Sequence, residues 1–291
     1  MQAIDQNQEH KVRGEGRDPA RNTATAKRMN RWVRDAWRLA ALPLLFFFLV
    51  PLVVLIFQTT PARLIASLQD PAVYLALAIS LKTTLISLCI ILLFGTPLAF
   101  LLGRYSFRFK HLIDTLIDLP TVLPPSVAGL ALLMTFGRNG PLGITLAHFK
   151  ISLAFTQAAV VMAQVFIAAP YYIRSASLGF AGIDLEHIQA AQLDGAGRWG
   201  ILRYIVFPLA QPALISGGLM SWARALGEFG ATILFAGNFL GRTQTMPLAI
   251  YLGFESNLDV ALTLSVILVL FSFVTLVLVK GLAVKTNPDS G

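Results

Sequence analysis

Few residues in this chain could do chemistry, and most are arranged in ways that do none. The four histidines (His10, His111, His148 and His187) are scattered. No H-E-x-x-H, no paired Cys/His spacing and no G-x-S-x-G occurs. A metal site or a hydrolytic triad, and with them a membrane-embedded enzyme, lack their ligands or nucleophile. No phosphate-cradling G-x-x-x-x-G-K-[ST] is present either, because Lys82-Thr83 and Gly241-Arg242-Thr243 lack the upstream glycines. The chain has no evident means of binding ATP by itself. Two polar groupings remain. One is 188–208, IQAAQLDGAGRWGILRYIVFP, lying between apolar blocks. The other is Arg224 with Glu228, four apart and so able to pair on one helix face.

The elements that position them are membrane spans. Of 291 residues, 56% are hydrophobic and 13% charged, about half the charge of a soluble domain. A helix needs about 20 mostly apolar residues to cross the bilayer. Six segments qualify: 39–57, 74–102, 115–136, 152–173, 212–236 and 258–279. The first is not read as a cleaved signal, since its apolar run is long and no A-x-A site follows. If residue 1 is cytoplasmic, the inner segments hold 17 of the 23 Lys and Arg, nine of them in 1–38. The outer segments keep Arg63, Arg138, Lys150 and Arg242. This bias puts both termini in the cytoplasm, and it accounts for the basic tail as a retention signal, not a nucleic-acid site. The single cysteine, Cys89, excludes an internal disulfide. No inverted halves of the secondary-transporter kind are visible. The expected organisation is a disordered basic tail (1–38), a first span with its outer loop (39–73), a core of five spans (74–279) and a short tail (280–291). The loop 174–211 lies inside.

Within that loop Asp184 is placed to cap a helix over 185–193, with Glu186 near its positive end. Asp194-Gly195 is a stop, because glycine accepts the left-handed turn that ends helices. A second helix over 197–206 follows, and Pro208 ends it or starts the next. Ala190 and Ala191 let another backbone come close. The spacing Gln189-Ala190-Ala191, three residues, Gly195, nine residues, Ile205-Val206-Phe207-Pro208 resembles the E-A-A…G…I-x-L-P signature of permease subunits of ATP-binding-cassette importers. Gln189 stands where that signature has Glu, and Phe207 where it has Leu. The resemblance implies a coupling helix that inserts into a partner ATPase, with Gln189, Ala190, Ala191, Gly195, Ile205 and Pro208 at the docking surface. An amphipathic loop lying on lipid headgroups is the plainer alternative.

Three further stretches, LPTVLPPSVAGLALL (119–133), FGRNGPLG (136–143) and WARALGEFGATILFAGNFLGRTQTMPLAIY (222–251), are similar to molybdate permease subunits, which are close to the tungstate and sulfate permeases. That resemblance runs from Ser80 to Val279. It implies an all-α fold of six transmembrane helices, the type-1 importer permease, paired as a homodimer in the cell membrane. It also implies a separate ATPase that uses ATP and magnesium, an extracytoplasmic molybdate-binding protein, and no cofactor bound by this chain. The outer loops 58–73, 137–151 and 237–257 would receive the binding protein.

The residues are compatible with a passage here. Pro120, Pro124 and Pro125 cannot all sit in a regular helix, and irregular backbone at membrane depth needs protein or a water-filled cavity around it. Span three is therefore expected to break, with Gly129 permitting close packing. Arg224 either contacts a dianion or forms a neutral pair with Glu228 that holds helices together, and the second reading is preferred. Ser126, Thr135, Thr232 and Asn238 could offer weak, replaceable hydrogen bonds, since a transport site must release its solute. Lys82 is expected to snorkel to the outer surface, and Arg104, Arg108 and Lys110 to retain the 103–114 loop inside.

Overall fold

The computed structural model describes residues 19–286, with side chains described for 36–281. Of the expected tails, 1–18 and 287–291 lie outside the described residues. The chain divides into two units, Met1–Val54 and Leu55–Gly291.

The first unit holds most of α1 (Pro19–Phe57). This helix starts about twenty residues ahead of the expected span. Proline suits a first helical turn, and Ala20, Ala24, Ala26, Lys27, Arg28 and Met29 are good helix formers, so the helix extends ahead of the apolar run instead of beginning with it. Only Ala36–Phe57 has the hydropathy of a span.

The second unit contains α2 (Pro61–Leu68), α3 (Pro71–Arg104), α4 (Lys110–Val122), α5 (Pro125–Phe136), α6 (Pro141–His148), α7 (Gln157–Ala181), α8 (Leu185–Leu193), α9 (Arg198–Ile201), α10 (Phe207–Leu226), α11 (Gly230–Ala236), α12 (Met246–Ser256) and α13 (Leu258–Thr286). Of these, α3, α7, the run Arg198–Leu226 and α13 can each cross a bilayer, and α4 with α5 forms one bent span. Counted with α1, this makes six. The outer loops are not irregular: α2, α6 and α12 are short helices, each with proline in its first turn.

Helix α7 is central. It packs along both α3 and α10. A Cβ on Gly103 would lie 2.5 Å from the Ser177 carbonyl oxygen, and one on Gly217 would lie 2.7 Å from Ser175 Cβ. Small residues thus let the three backbones close up, which is how helices associate where lipid offers no hydrophobic drive. Polar side chains join them. Ser87 donates to Gln164 Oε1 at 2.8 Å, Gln164 donates to Thr83 at 3.2 Å, and Trp222 donates to Thr84 at 3.2 Å.

Two expected spans are interrupted, each for a local reason. Span three bends by 113° between α4 and α5. Leu123 precedes Pro124, and Pro124 precedes Pro125. A residue before proline is disfavoured in the helical region, and with two in succession both are extended, with ψ of 138° and 132°. Pro120, by contrast, stays inside α4. Span five, expected at 212–236, instead ends at Leu226, and Gly227, Glu228 and Phe229 separate it from α11.

Candidate functional site

The polar stretch folds as a helical hairpin slung between α7 and α10. Asp184 is the N-cap residue of α8, but its side chain makes no capping bond. At the other end the stop is as expected. Gly195 has φ +81°. Its N–H donates to Gln192 O at 3.1 Å, and the Ala196 N–H donates to Ala191 O at 2.9 Å. These are the two bonds of a Schellman closure, with Ala191 and Ala196 as its apolar contact. No atom approaches within 4 Å of where a Gly195 Cβ would stand.

The return limb differs from the expected 197–206 helix. It begins as α9 and widens into a π turn at Leu202–Val206. It then runs into α10 without leaving helical geometry, and Pro208 sits in the first turn of α10, the second of the two places expected for it. The Phe207 N–H reaches back five residues to Leu202 O. Proline lacks an N–H and crowds the carbonyl four residues behind it; the wider turn accommodates both effects.

The hairpin is seated on the bundle by Ile183, Ile201 and Val206, all buried in one cluster with Tyr172 and Phe180. Arg104 fastens its base, donating to Ile183 O at 2.8 Å. On the outward side Gln189, Ala190, Gly195 and Pro208 are exposed, whereas Ala191 and Ile205 are half-buried, Ala191 against the core. Leu193 (89% exposed), Trp199 (69%) and Tyr204 (74%) stand out on the same segment. Large apolar side chains exposed on a polar loop are the kind of surface that partner proteins cover.

The second grouping forms where the two interrupted spans meet. Glu228 lies in the break and not on the helix of Arg224, as the four-residue spacing had implied. The pair forms nonetheless, at 2.8 Å, with the Glu228 side chain 1% exposed and that of Arg224 28%. Glu228 Oε1 also accepts the Ala231 N–H at 2.8 Å. Arg224 therefore stands at the negative end of α10, and Glu228 caps the positive end of α11. Each charge is matched to its helix dipole, which is how an unwound segment can persist at this depth. The two breaks touch directly. A Cβ on Gly129 would lie 2.7 Å from Ala231 Cα, and one on Gly230 would lie 2.8 Å from Pro125 Cβ.

The residues read as solute contacts divide. Pro124, Pro125 and Ser126 are exposed at the start of α5. Thr232 is fully buried, and its hydroxyl has no protein partner. Asn238 donates to Leu248 O at 3.3 Å. Thr135 donates to its own helix, to Ala131 O at 2.8 Å. In this conformation Thr232 is closed off from any passage. Lys82 is exposed and donates to Gln157 Oε1 at 3.0 Å, at the start of α7.

One cluster escaped the sequence. Arg174 of α7 donates from Nη1 to Asp114 Oδ1 at 2.9 Å, from Nη2 to the Asp114 carbonyl at 2.9 Å, and from Nε to Asp118 Oδ1 at 2.6 Å. The signal was present: Asp114 and Asp118 are one turn apart in an apolar stretch without another carboxylate between 103 and 136, a spacing that offers one cation two acceptors.

These features define a multi-span helical membrane protein with a polar hairpin between two spans and a broken-helix core. Comparison with solved structures agrees. The fold matches a bacterial ABC transporter solved with its alginate pentasaccharide-bound periplasmic protein, with a TM-score of 0.68 at 18% identity over 88% of this chain and 94% of that one. It also matches the MetNI methionine ABC transporter in an inward-facing form, with a TM-score of 0.55 at 19% identity over 72% and 96%. At such identity the likeness establishes the fold alone. The sequence profile of the binding-protein-dependent transport system inner membrane component matches residues 95–286, and the chain belongs to that family. It is 40% identical over 258 residues to the molybdenum transport system permease protein ModB of Mycobacterium tuberculosis, covering 88% of this chain and 94% of that protein. It is 41% identical over 185 residues to ModB of Escherichia coli, covering 63% and 80%. It is 34% identical over 243 residues to the probable transport system permease protein NifC of Clostridium pasteurianum, covering 82% and 85%. The chain is thus a membrane component of a transport system whose ATPase and binding protein are separate subunits.

Proposed function

We propose that this chain is the permease of an ATP-driven importer that carries molybdate inward across the cytoplasmic membrane. The supporting observation is the 40% identity to a molybdenum transport permease along nearly the whole chain. We further propose that two copies pair around the passage, that the 184–208 hairpin docks on the ATPase, and that an extracytoplasmic molybdate-binding protein seats on the outer face beside α2, α6 and α12. The bundle holds no fuel of its own. It is driven because the ATPase binds the hairpin with different affinity in the inward-open and outward-open packings; moving such an equilibrium from 1:99 to 99:1 takes about a 10⁴-fold difference. Neutralisation of Arg224 by Glu228 fits a passage that does not trap its dianion.

Tungstate or sulfate as cargo is the nearest alternative, and an ion-gradient-driven anion carrier a more distant one. Uptake of labelled molybdate in competition with unlabelled molybdate, tungstate and sulfate decides among the anions. Molybdate should compete at low excess and sulfate only at high excess. Preferential uptake of sulfate would replace the proposed cargo. Uptake that survives removal of the ATPase would replace the mechanism.

A further inference from the structure

The hairpin and the paired breaks are joined by two ion-paired struts, one from each limb. On the return limb, α9 and the π turn run into α10, which ends at Arg224; Arg224 pairs with Glu228, and Glu228 caps α11. On the entry limb, α7 leads directly into α8. Near the hairpin end of α7, Arg174 grips α4 through both carboxylates and one carbonyl. Helix α4 continues through the Leu123-Pro124 bend into α5, which meets α11 at Gly129 and Ala231.

The grip stands out because α4 has little else to hold it. Ile113 and Ile117 rest on the core and Pro120 is buried, while Leu112, Leu116, Leu119 and Val122 are all exposed. Arg174 is only partly exposed, 36% by side chain. A planar guanidinium held at this many points fixes orientation as well as distance.

We propose that Arg174 is a positioning residue for transport: its clasp on Asp114 and Asp118 makes α4 move with α7, so that displacement of the hairpin reaches the broken span at Pro124. The inference rests on the reading that the hairpin docks on an ATPase. Coupling of this kind is established by a changed coupling ratio, not by adjacency alone.

The test uses the full complex of permease, ATPase and binding protein in proteoliposomes, reading labelled molybdate moved per ATP hydrolysed. With Arg174→Gln the ratio should fall at least tenfold while the ATPase still co-purifies and still hydrolyses ATP. Arg174→Lys should recover part of the loss, and the exchange Arg174→Asp with Asp118→Arg should recover more. A purely structural role would reduce the amount of folded complex and leave the ratio per complex untouched; an unchanged ratio in Arg174→Gln overturns the proposal. If that variant does not assemble, Asp118→Asn keeps the Asp114 bonds and should lower the ratio a few-fold, and an unchanged ratio there overturns the proposal equally. Failure of the wild-type chain to retain the ATPase would instead remove the docking reading, which distinguishes the two.

Discussion

The hairpin and the paired breaks both depend on glycine, but for opposite reasons. Gly195 is needed for its backbone angle, φ +81°, and has open space around it. Gly129 has an ordinary helical backbone within α5 and is needed for its missing side chain, since any Cβ would press on the Ala231 backbone. The contrast extends to the neighbours. On the same segment as Gly195, Leu193, Trp199 and Tyr204 are exposed. Gly129 abuts the buried Ala231, whose N–H is held by the buried Glu228. The hairpin presents an exposed apolar face; where the breaks meet, Ala231, Thr232 and Glu228 are buried. Substitutions in the first should cost function at little cost in stability, and substitutions in the second should cost stability first.

The largest effect is expected at the hairpin. Gly195→Arg should abolish uptake and ATPase co-purification while the protein still inserts in the membrane, because the left-handed angle costs a side chain only about 1–2 kcal/mol and nothing is struck. Gly195→Asn sharpens the comparison: Asn tolerates that angle and adds little bulk, so uptake should stay within a few-fold of wild type. In the breaks, Arg224→Ala leaves the buried Glu228 carboxylate without its cation. Loss of one partner of such a pair costs about 3–5 kcal/mol, to be seen as a lowered unfolding temperature in detergent, with the order of preference among the three anions unchanged. A stable Arg224→Ala protein with altered preference would make Arg224 a solute contact. Gly129→Ala should cost about 1–3 kcal/mol by overpacking, read the same way. Smallest of all, Gln164→Leu removes interhelical hydrogen bonds worth about 0.6–2 kcal/mol and should lower stability slightly with uptake intact.

Much of this division was legible in the residues. Apolar length located five of the six spans closely, the fifth running over Arg198–Leu226 instead of 212–236, and Asp194-Gly195 located the turn of the hairpin, because both signals depend on local chemistry. The bend at Leu123-Pro124 follows from two consecutive residues that precede proline. The interruption at Gly227–Phe229 was not legible. Apart from Arg224 and Glu228 the stretch 212–236 carries no charge, and those two read as an ordinary pair on one helix face; what stabilises the break is the reach of Glu228 forward to the Ala231 N–H. The continuation of the hairpin through Pro208 was hidden for a similar reason, since a π turn leaves no mark in composition. In the sequence Arg174 is only one of the inner-segment positive charges, and its carboxylate partners lie 56 and 60 residues away. Spacing along the chain reveals pairs one helical turn apart, not pairs between helices.

The central claim, that the hairpin hands the work of a separate ATPase to this bundle, is tested most directly by contact. Cys89 is the sole cysteine, so Cys89→Ser with Gln189→Cys leaves one thiol, on the exposed face of the hairpin. In native membranes, a short thiol-to-amine cross-linker should join it to the ATPase in a yield that changes when ATP is added. A thiol that never links to the ATPase and reacts instead with a reagent confined to lipid would contradict the account.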